Sequence, residues 1–239
     1  MRPTQLVEDL ARFVNSDMDG STNDENLDLL TFLPRTDRLA FNRKDRIYDR
    51  VEHANYLYLV NSGLVLVAES VDGVVIDICG QEDFFGFRCL SNVAKYLEHA
   101  EAVTDVEIMK WSRQELADLL RKDLGASLAL AKVLADNLAR ANERIKSFGK
   151  EQISARLLRL LLYLGERYYE HDGEVILPHI THEVIARYLG TSREIVTSTL
   201  NDFKRRKMLD YAGRGNERGI RFKMDVLSYH LFGEDFGER

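Results

Sequence analysis

Apolar and polar residues alternate through "NYLYLVNSGLVLVAESVDGVVIDIC", from Asn55 to Cys79, with β-branched and aromatic side chains at most apolar positions. That is the period of a strand. The alternation breaks at Asn61-Ser62-Gly63 and at Asp72-Gly73, where Gly and Asn accept the positive φ of a tight turn. Short runs of this kind recur from about Asp37 to Trp111, which predicts a closed or sandwiched β structure rather than βαβ units. Ahead of them, Leu6, Leu10, Phe13 and Val14 form a short amphipathic pattern, and "NSDMDGSTNDEN" reads as a loop.

From Ser112 to about Ser147 the period becomes helical. Ser112 with Glu115 three residues on is a capping box. Gly125 is expected to separate a short helix from a long one. In the long one, Leu128, Ala131, Ala135, Leu138, Asn142 and Ile145 fall at three- and four-residue steps. This is a narrow seam of coiled-coil type, about three heptads long, with Lys132, Asp136, Arg140 and Arg144 expected in water. The seam fits a core contact within the chain or a parallel pairing of two chains. A second helix, "EQISARLLRLLLYLGERYYEHD", is expected to end near Asp172-Gly173, before a short strand, "EVILP".

The next stretch, "HITHEVIARYLGTSREIVTSTLNDFKRRKML", has a tighter grammar. Thr181 is an N-cap for a helix with Val184, Ile185 and Leu189 apolar. Gly190 stands where a helix end wants positive φ. Thr191 and Ser192 offer caps to a following helix whose inward face is Ile195, Val196, Leu200 and Phe203. Two short helices about a glycine turn form the helix-turn-helix plan. "DYAGRGNERGIRFKM" then reads as an arginine-rich hairpin, a wing.

Charge sharpens this picture. The net charge is −6, which alone argues against a nucleic-acid partner. Between His179 and Lys223, however, ten Lys/Arg face five acids, and the rest of the chain carries the acidic excess. A basic module on an acidic body is an electrostatic footprint for phosphate. Two cysteines make no disulfide framework. No apolar run approaches the roughly 20 residues of a membrane span, and the acidic start lacks a signal core, so a cytoplasmic protein is expected. No Gly-rich phosphate loop, HExxH, GxSxG or cysteine–histidine cluster at metal spacing is present. His179 and His182 stand where a capping role is expected. An enzyme is not expected.

With these elements in order, the chain resembles the Crp/Fnr family of bacterial transcription regulators over about residues 30–225. The resemblance rests most on "ITHEVIARYLGTSREIV", and also on "YLYLVNSGLVLVAESVDG" and "AEAVTDVEIMKWSRQEL". It implies an α+β fold: an N-terminal β-roll of the cyclic-nucleotide-binding kind, a long dimerisation helix and a C-terminal winged helix-turn-helix. The expected divisions are 1–111, 112–148 and 149–239. The seam named above becomes the contact between two copies. Two recognition helices, each at about 192–205, would read a palindrome in double-stranded DNA, with RNA polymerase a further partner of an activator and no membrane involved.

Arg193 and Glu194 fall in the first turn of that helix, where arginine pairs with guanine O6 and N7 and glutamate accepts from cytosine N4 or adenine N6. Thr197 and Ser198 follow on the next exposed turn as base contacts. Ser198 departs from the many members with arginine there. Thr181, His182 and Ser192 are expected at phosphates, with Arg214 and Arg218 from the wing.

The signal is less legible. In cyclic-AMP-binding members a glutamate follows a Phe-x-Gly turn, and an Arg-Ser or Arg-Thr pair comes later. Here "FFGFRCL" puts Phe87 at the first place and "NVAKYLEHAEA" lacks the pair, so cyclic AMP is not expected in the usual manner. Phe87, Arg88 and Cys89 mark a possible effector site, with Arg88 either holding another anion or forming a salt bridge. Two cysteines exclude the family's four-cysteine iron–sulfur cluster. No cofactor is predicted. Haem through His53, Cys79, Cys89, His99 or Met109, an unknown small effector, and a thiol switch at Cys89 beside Arg88 stay as alternatives. Control by abundance alone is another. A roll acting through protein partners is the competing function, and it would show no base preference.

Overall fold

A computed structural model of the chain describes residues 28–92, 95–168, 174–213 and 219–232. The amphipathic pattern at Leu6–Val14 lies outside the described residues. Eight short strands form the N-terminal half: β1 (Leu39–Phe41), β2 (Arg46–Tyr48), β3 (Tyr56–Ser62), β4 (Val65–Ala68), β5 (Val75–Cys79), β6 (Phe84–Phe85), β7 (His99–Ala102) and β8 (Val106–Ser112). They make two four-stranded antiparallel sheets, β1-β8-β3-β6 and β2-β7-β4-β5. Both expected turns form, in different roles. Asp72-Gly73 closes the β4–β5 hairpin. Asn61-Ser62-Gly63 instead carries the chain from one sheet to the other, with Gly63 at φ 83°. A Cβ there would stand 2.3 Å from the carbonyl oxygen of Asp105, so the crossing requires glycine.

Both faces of these sheets are covered, which explains why Val65–Ala68 is buried at every position. Between the sheets lie Tyr48, Tyr58, Val60, Val65, Phe85 and Tyr96. Behind β3 and β8, Leu57, Leu59 and Trp111 pack on α1 (Leu29–Phe32), α2 (Arg113–Lys122) and the start of α3 (Leu124–Lys150). Behind β4 and β5, Leu64, Leu66, Val75 and Ile78 share a core with the C-terminal half.

The Ser112–Glu115 capping box forms, with both reciprocal bonds present. The helix break falls at Asp123 rather than Gly125, because the Asp123 carboxylate accepts from the Ala126 N–H and caps α3. Gly125 is inside the first turn of α3. This helix has 27 residues. Its seam is bare: Leu138 is 62% and Ile145 67% exposed, and Ala131, Ala135 and Asn142 are exposed with them. Leu128 is half-buried.

The opposite side of α3 corrects one expectation. Arg140 and Arg144 are not in water; they turn inward toward the roll and the C-terminal half. Arg140 meets Asp77 at 2.7 Å. Arg144 donates to the carbonyls of Val75, Ile76 and Tyr188. Strand β5 is an edge strand that begins with backbone oxygens needing donors, and a long guanidinium supplies them where an aliphatic side chain cannot.

α4 (Ile153–Arg167) stops at Arg167 with Tyr168 as C-cap, short of Asp172-Gly173. The Tyr168 hydroxyl leaves the helix line to donate to Gly63 O at 2.6 Å. β9 (Glu174–Leu177), α5 (His182–Leu189), α6 (Arg193–Arg205), β10 (Leu209–Ala212), β11 (Gly219–Lys223) and α7 (Met224–Phe232) complete the fold. The antiparallel order β10-β11-β9 is the expected wing sheet. α7 packs against α4 and was not foreseen.

Candidate nucleic-acid interface

The reading head is α5, its turn and α6, fixed by local chemistry. Thr181 Oγ1 accepts from the Val184 N–H at 3.2 Å to start α5. Gly190, at φ 62°, ends it, and the Thr191 N–H closes back on Ala186 O at 3.0 Å. Ser192 Oγ accepts from the Ile195 N–H and starts α6. Val196, Leu200 and Phe203 bury against Ile185, Ala186 and Leu189. Ile195 does not join them. It is 46% exposed, because the buried stripe runs 196-200-203 and residue 195 falls one helical step, about 100°, to its side.

The uncovered face of α6 presents Arg193, Glu194, Ser198, Asn201 and Arg205. The Glu194 carboxyl is held below the usual range, first by its own backbone N–H and then by the Ser192 hydroxyl. It therefore supports the helix start while facing solvent. Thr197 is committed elsewhere: its hydroxyl donates to Arg193 O at 2.8 Å and lies 2.8 Å from His182 Nδ1. The fold thus pairs His182 with Thr197 between the two helices and leaves Arg193, Glu194 and Ser198 outermost. The hydroxyls of Thr181 and Ser192 serve as caps.

The basic run after α6 is partly neutralised. Lys204 meets Asp210 at 2.7 Å, Arg205 meets Asp202 at 3.0 Å, and Arg206 lies 3.8 Å from Asp202. Lys207 makes no ion pair among the described residues and takes φ 59° to end the helix. Arg214 and Arg218 lie outside the described residues.

In the roll, Gly86 adopts φ 80° and delivers Phe87–Leu90 as a 3-10 turn. Arg88 is taken by Glu98, with Nε to Oε2 at 3.0 Å. Cys89 is fully buried, and burial pushes its thiol up to about 12, a cationic Arg113 notwithstanding. The accessible, electropositive setting that the thiol-switch alternative needs at Cys89 is therefore absent: a 3-10 turn packs its side chain inward. Burial raises the Cys79 thiol as well.

The haem candidates do not converge. Cys79 sits between the sheets, Cys89 and Met109 pack behind the first sheet, and His53 is exposed. His99 is buried, and burial lowers its pKa. Among the described residues no cluster of three or more His, Cys, Asp or Glu could hold a metal.

A nucleotide between the sheets would have to displace stacked rings. Tyr48 and Tyr96 lie 3.9 Å apart, Tyr48 and Tyr58 5.5 Å, and Tyr58 and Phe85 5.0 Å between centroids. Phe87 offers no acceptor for a ribose hydroxyl, and Arg88 has its partner. These residues do not fit a cyclic nucleotide bound in the family's usual manner.

Sequence reasoning missed Asn201, three residues beyond Ser198 on the same face. It also missed the contacts that seat the head on the roll. Asp83, 7% exposed, accepts from Gly80 N at 2.8 Å, the Tyr163 hydroxyl at 2.6 Å and Arg167 at 3.0 Å. Arg187 donates to two carbonyls in the β4–β5 turn. The signal available was only the helical phase of these polar residues, which share a face with buried apolar ones.

Residues 38–123 match the cyclic nucleotide-binding domain family and residues 155–223 the Crp-like helix-turn-helix domain family. The transcriptional regulator LdrP of Thermus thermophilus is 31% identical over 182 residues, 73% of this chain and 88% of its own. A Mycobacterium tuberculosis protein named as a CRP-like cAMP-activated global transcriptional regulator is 27% identical over 179 residues, 73% and 80% of the two chains. Among solved structures, FixK2 from Bradyrhizobium japonicum superposes with TM-score 0.71 at 22% identity, covering 86% of this chain and all of that one (100%). TTHA1359 from Thermus thermophilus gives 0.63 at 26% identity, covering 83% and 100%.

Proposed function

The chain belongs to the Crp/Fnr family of transcription regulators, and we propose that, as a homodimer, it reads a palindromic DNA site through the outer face of α6. DNA binding is the property of the family; the residues and the symmetry are our reading. The observation that carries it is the capped, exposed start of α6, where Arg193, Glu194, Ser198 and Asn201 face solvent over a buried Val196–Leu200–Phe203 stripe. Arg193 and Glu194 read base edges in the major groove, with Ser198 and Asn201 on the following turns. Thr181, His182 and Ser192 lie toward the backbone, joined by Lys207. Thr197 orients His182 rather than reading a base.

The bare stripe of α3 supports pairing of two copies, which sets the heads about 34 Å apart, one turn of DNA. The mycobacterial relative is named for activation by cAMP. That property does not carry over here, because Phe87, the Arg88–Glu98 pair and the aromatic stack occupy the places a cyclic nucleotide needs. RNA polymerase is a partner if the protein activates.

Selection from a randomised duplex pool, at near-physiological salt with nothing added, tests this. A two-fold symmetric site with half-sites one helical turn apart is the expected result. A pool left unselected, with only weak salt-sensitive binding, would sink it in favour of a module that works through proteins.

A further inference from the structure

Where α3, α4 and the end of α5 meet, they enclose a cavity of about 120 Å³. Its lining carries four guanidinium groups, Arg140, Arg144, Arg156 and Arg159, and a single acid, Glu143. Three of these charges are already matched. Arg140 meets Asp77 at 2.7 Å, Arg159 meets Glu151 at 2.7 Å, and Glu143 turns to Lys146 at 2.6 Å. Arg144 and Arg156 make no ion pair among the described residues. Their hydrogen bonds go to neutral carbonyls: Arg156 to Leu189 at 2.8 Å, Arg144 to Tyr188 at 2.6 Å and to Val75 and Ile76. The Nε atom of each is buried with no partner.

A purely structural role accounts for part of this. Tyr188 and Leu189 end α5, and cations at a helix C-terminus satisfy its last carbonyls. That end carries roughly half a negative charge, against two whole positive ones. Stacking of both groups near Phe148, at 5.5 and 4.8 Å, and of Arg144 on Tyr188 at 3.9 Å, eases desolvation without neutralising it. Burial accordingly lowers the Arg144 pKa. Two half-buried guanidinium groups without carboxylates, bordering one cavity, match a dianion, and arginine's planar fork suits phosphate oxygens. For size, a cavity of ~150 Å³ takes up benzene with its six heavy atoms, so this one, at about 120 Å³, admits a phosphate group, with the rest of an ester at its mouth.

We propose that this cavity binds a small phosphate dianion, inorganic phosphate or a short phosphate ester, held by Arg144 and Arg156. Bound there it touches α3, α4 and α5 at once, and it reaches the roll through Arg144, which also donates to the Val75 and Ile76 carbonyls of β5; in this way it sets the pose of the head on the roll. That last step rests on the DNA-reading function; the binding itself does not.

The test is calorimetric titration of the full chain, without DNA and at low ionic strength, with inorganic phosphate and separately with glycerol 3-phosphate. One saturable site per chain is expected. It should weaken at least tenfold in Arg144→Gln and in Arg156→Gln, which keep a donor for the carbonyl and remove the charge. Arg193→Ala and Lys204→Ala, on the DNA side, should stay within twofold. Tighter binding of the ester assigns a metabolite; equal binding assigns free phosphate. No saturable binding, or loss in the DNA-side variants instead, overturns the proposal. Should the glutamine variants unfold, phosphate must protect Arg144 and Arg156 of the unaltered protein from an arginine-directed reagent, read by peptide mass; equal labelling with and without phosphate rejects the site.

Discussion

Arg187 Nε donates to the carbonyl oxygen of Gly73 at 2.9 Å, so the first helix of the reading head is tied to a turn of the roll. A second bond, to Ser70 O at 3.2 Å, makes the guanidinium a staple across the β4–β5 hairpin. Helix α5 and the β4–β5 turn are thus in direct contact.

Removing that staple should alter pose and leave base preference intact. Arg187→Gln is expected to weaken docking by about 1.5–3 kcal/mol, the scale of a charged hydrogen bond. Hydrogen exchange should quicken in the β4–β5 turn, and the selected DNA site should keep its sequence while its affinity changes. A changed sequence preference would show that Arg187 acts on the groove instead.

Asp83 is the buried counterpart of this surface contact. It alone answers Arg167 and Tyr163 from the roll side, with Arg140 at 3.9 Å. Asp83→Ala leaves the Tyr163 hydroxyl without this acceptor and Arg167 with only the exposed Glu166 at 3.5 Å, while Arg140 keeps Asp77, and should cost about 3 kcal/mol by chemical denaturation. Glu107→Ala, which removes an exposed pair with Arg38, should cost less than about 1 kcal/mol.

Leu138 and Ile145 are mostly exposed within one chain. Leu138→Glu with Ile145→Glu should therefore leave circular dichroism unchanged and give a monomer in sedimentation. Binding to a two-fold site should fall at least tenfold, while a half-site binds as before. A double variant that stays dimeric would remove α3 from the interface.

On DNA, Arg193→Ala should cost about 1–3 kcal/mol on the selected site and relax one base position. Glu194→Ala should do the same, with an added loss of helix capping that Glu194→Gln avoids in part. Lys207→Ala should weaken every sequence alike and lower the salt slope by about one. Uniform losses in all three would refute base reading by the first turn of α6.

Alkaline pH has a defined direction. Burial pushes Cys89, Tyr96 and Tyr188 up to about 12 from ordinary values near 9 and 10. The folded state therefore holds these protons after the unfolded chain has released its own. Stability should be flat below about pH 9 and decline as pH rises toward 12, read from urea midpoints at stepped pH. Both thiols should resist alkylation at pH 8 until the chain unfolds.

The sequence disclosed what depends on local chemistry. Ser112–Glu115, Thr181, Gly190 and Ser192 each cap a helix through partners within about four residues, and each was legible. The seam of α3 was legible as a stripe. What the stripe faces was not, because Arg140 and Arg144 look like solvent residues until β5 supplies the Asp77 carboxylate and the Val75 carbonyl from more than sixty positions away. Ile195 misled for a related reason: apolar character says nothing of the angle at which a short helix seats its side chains. The roll interior was the least legible, since Tyr48, Tyr58, Phe85 and Tyr96 come together only when two sheets close.

The bare stripe of α3 also bears on dosage. On the proposed pairing, a chain below its dimer dissociation constant occupies a two-fold site in proportion to the square of protomer concentration. Doubling the protein then raises occupancy about fourfold. Synthesis and degradation of the chain itself become an input to the switch, and genes under such sites respond more steeply than the supply of the regulator changes.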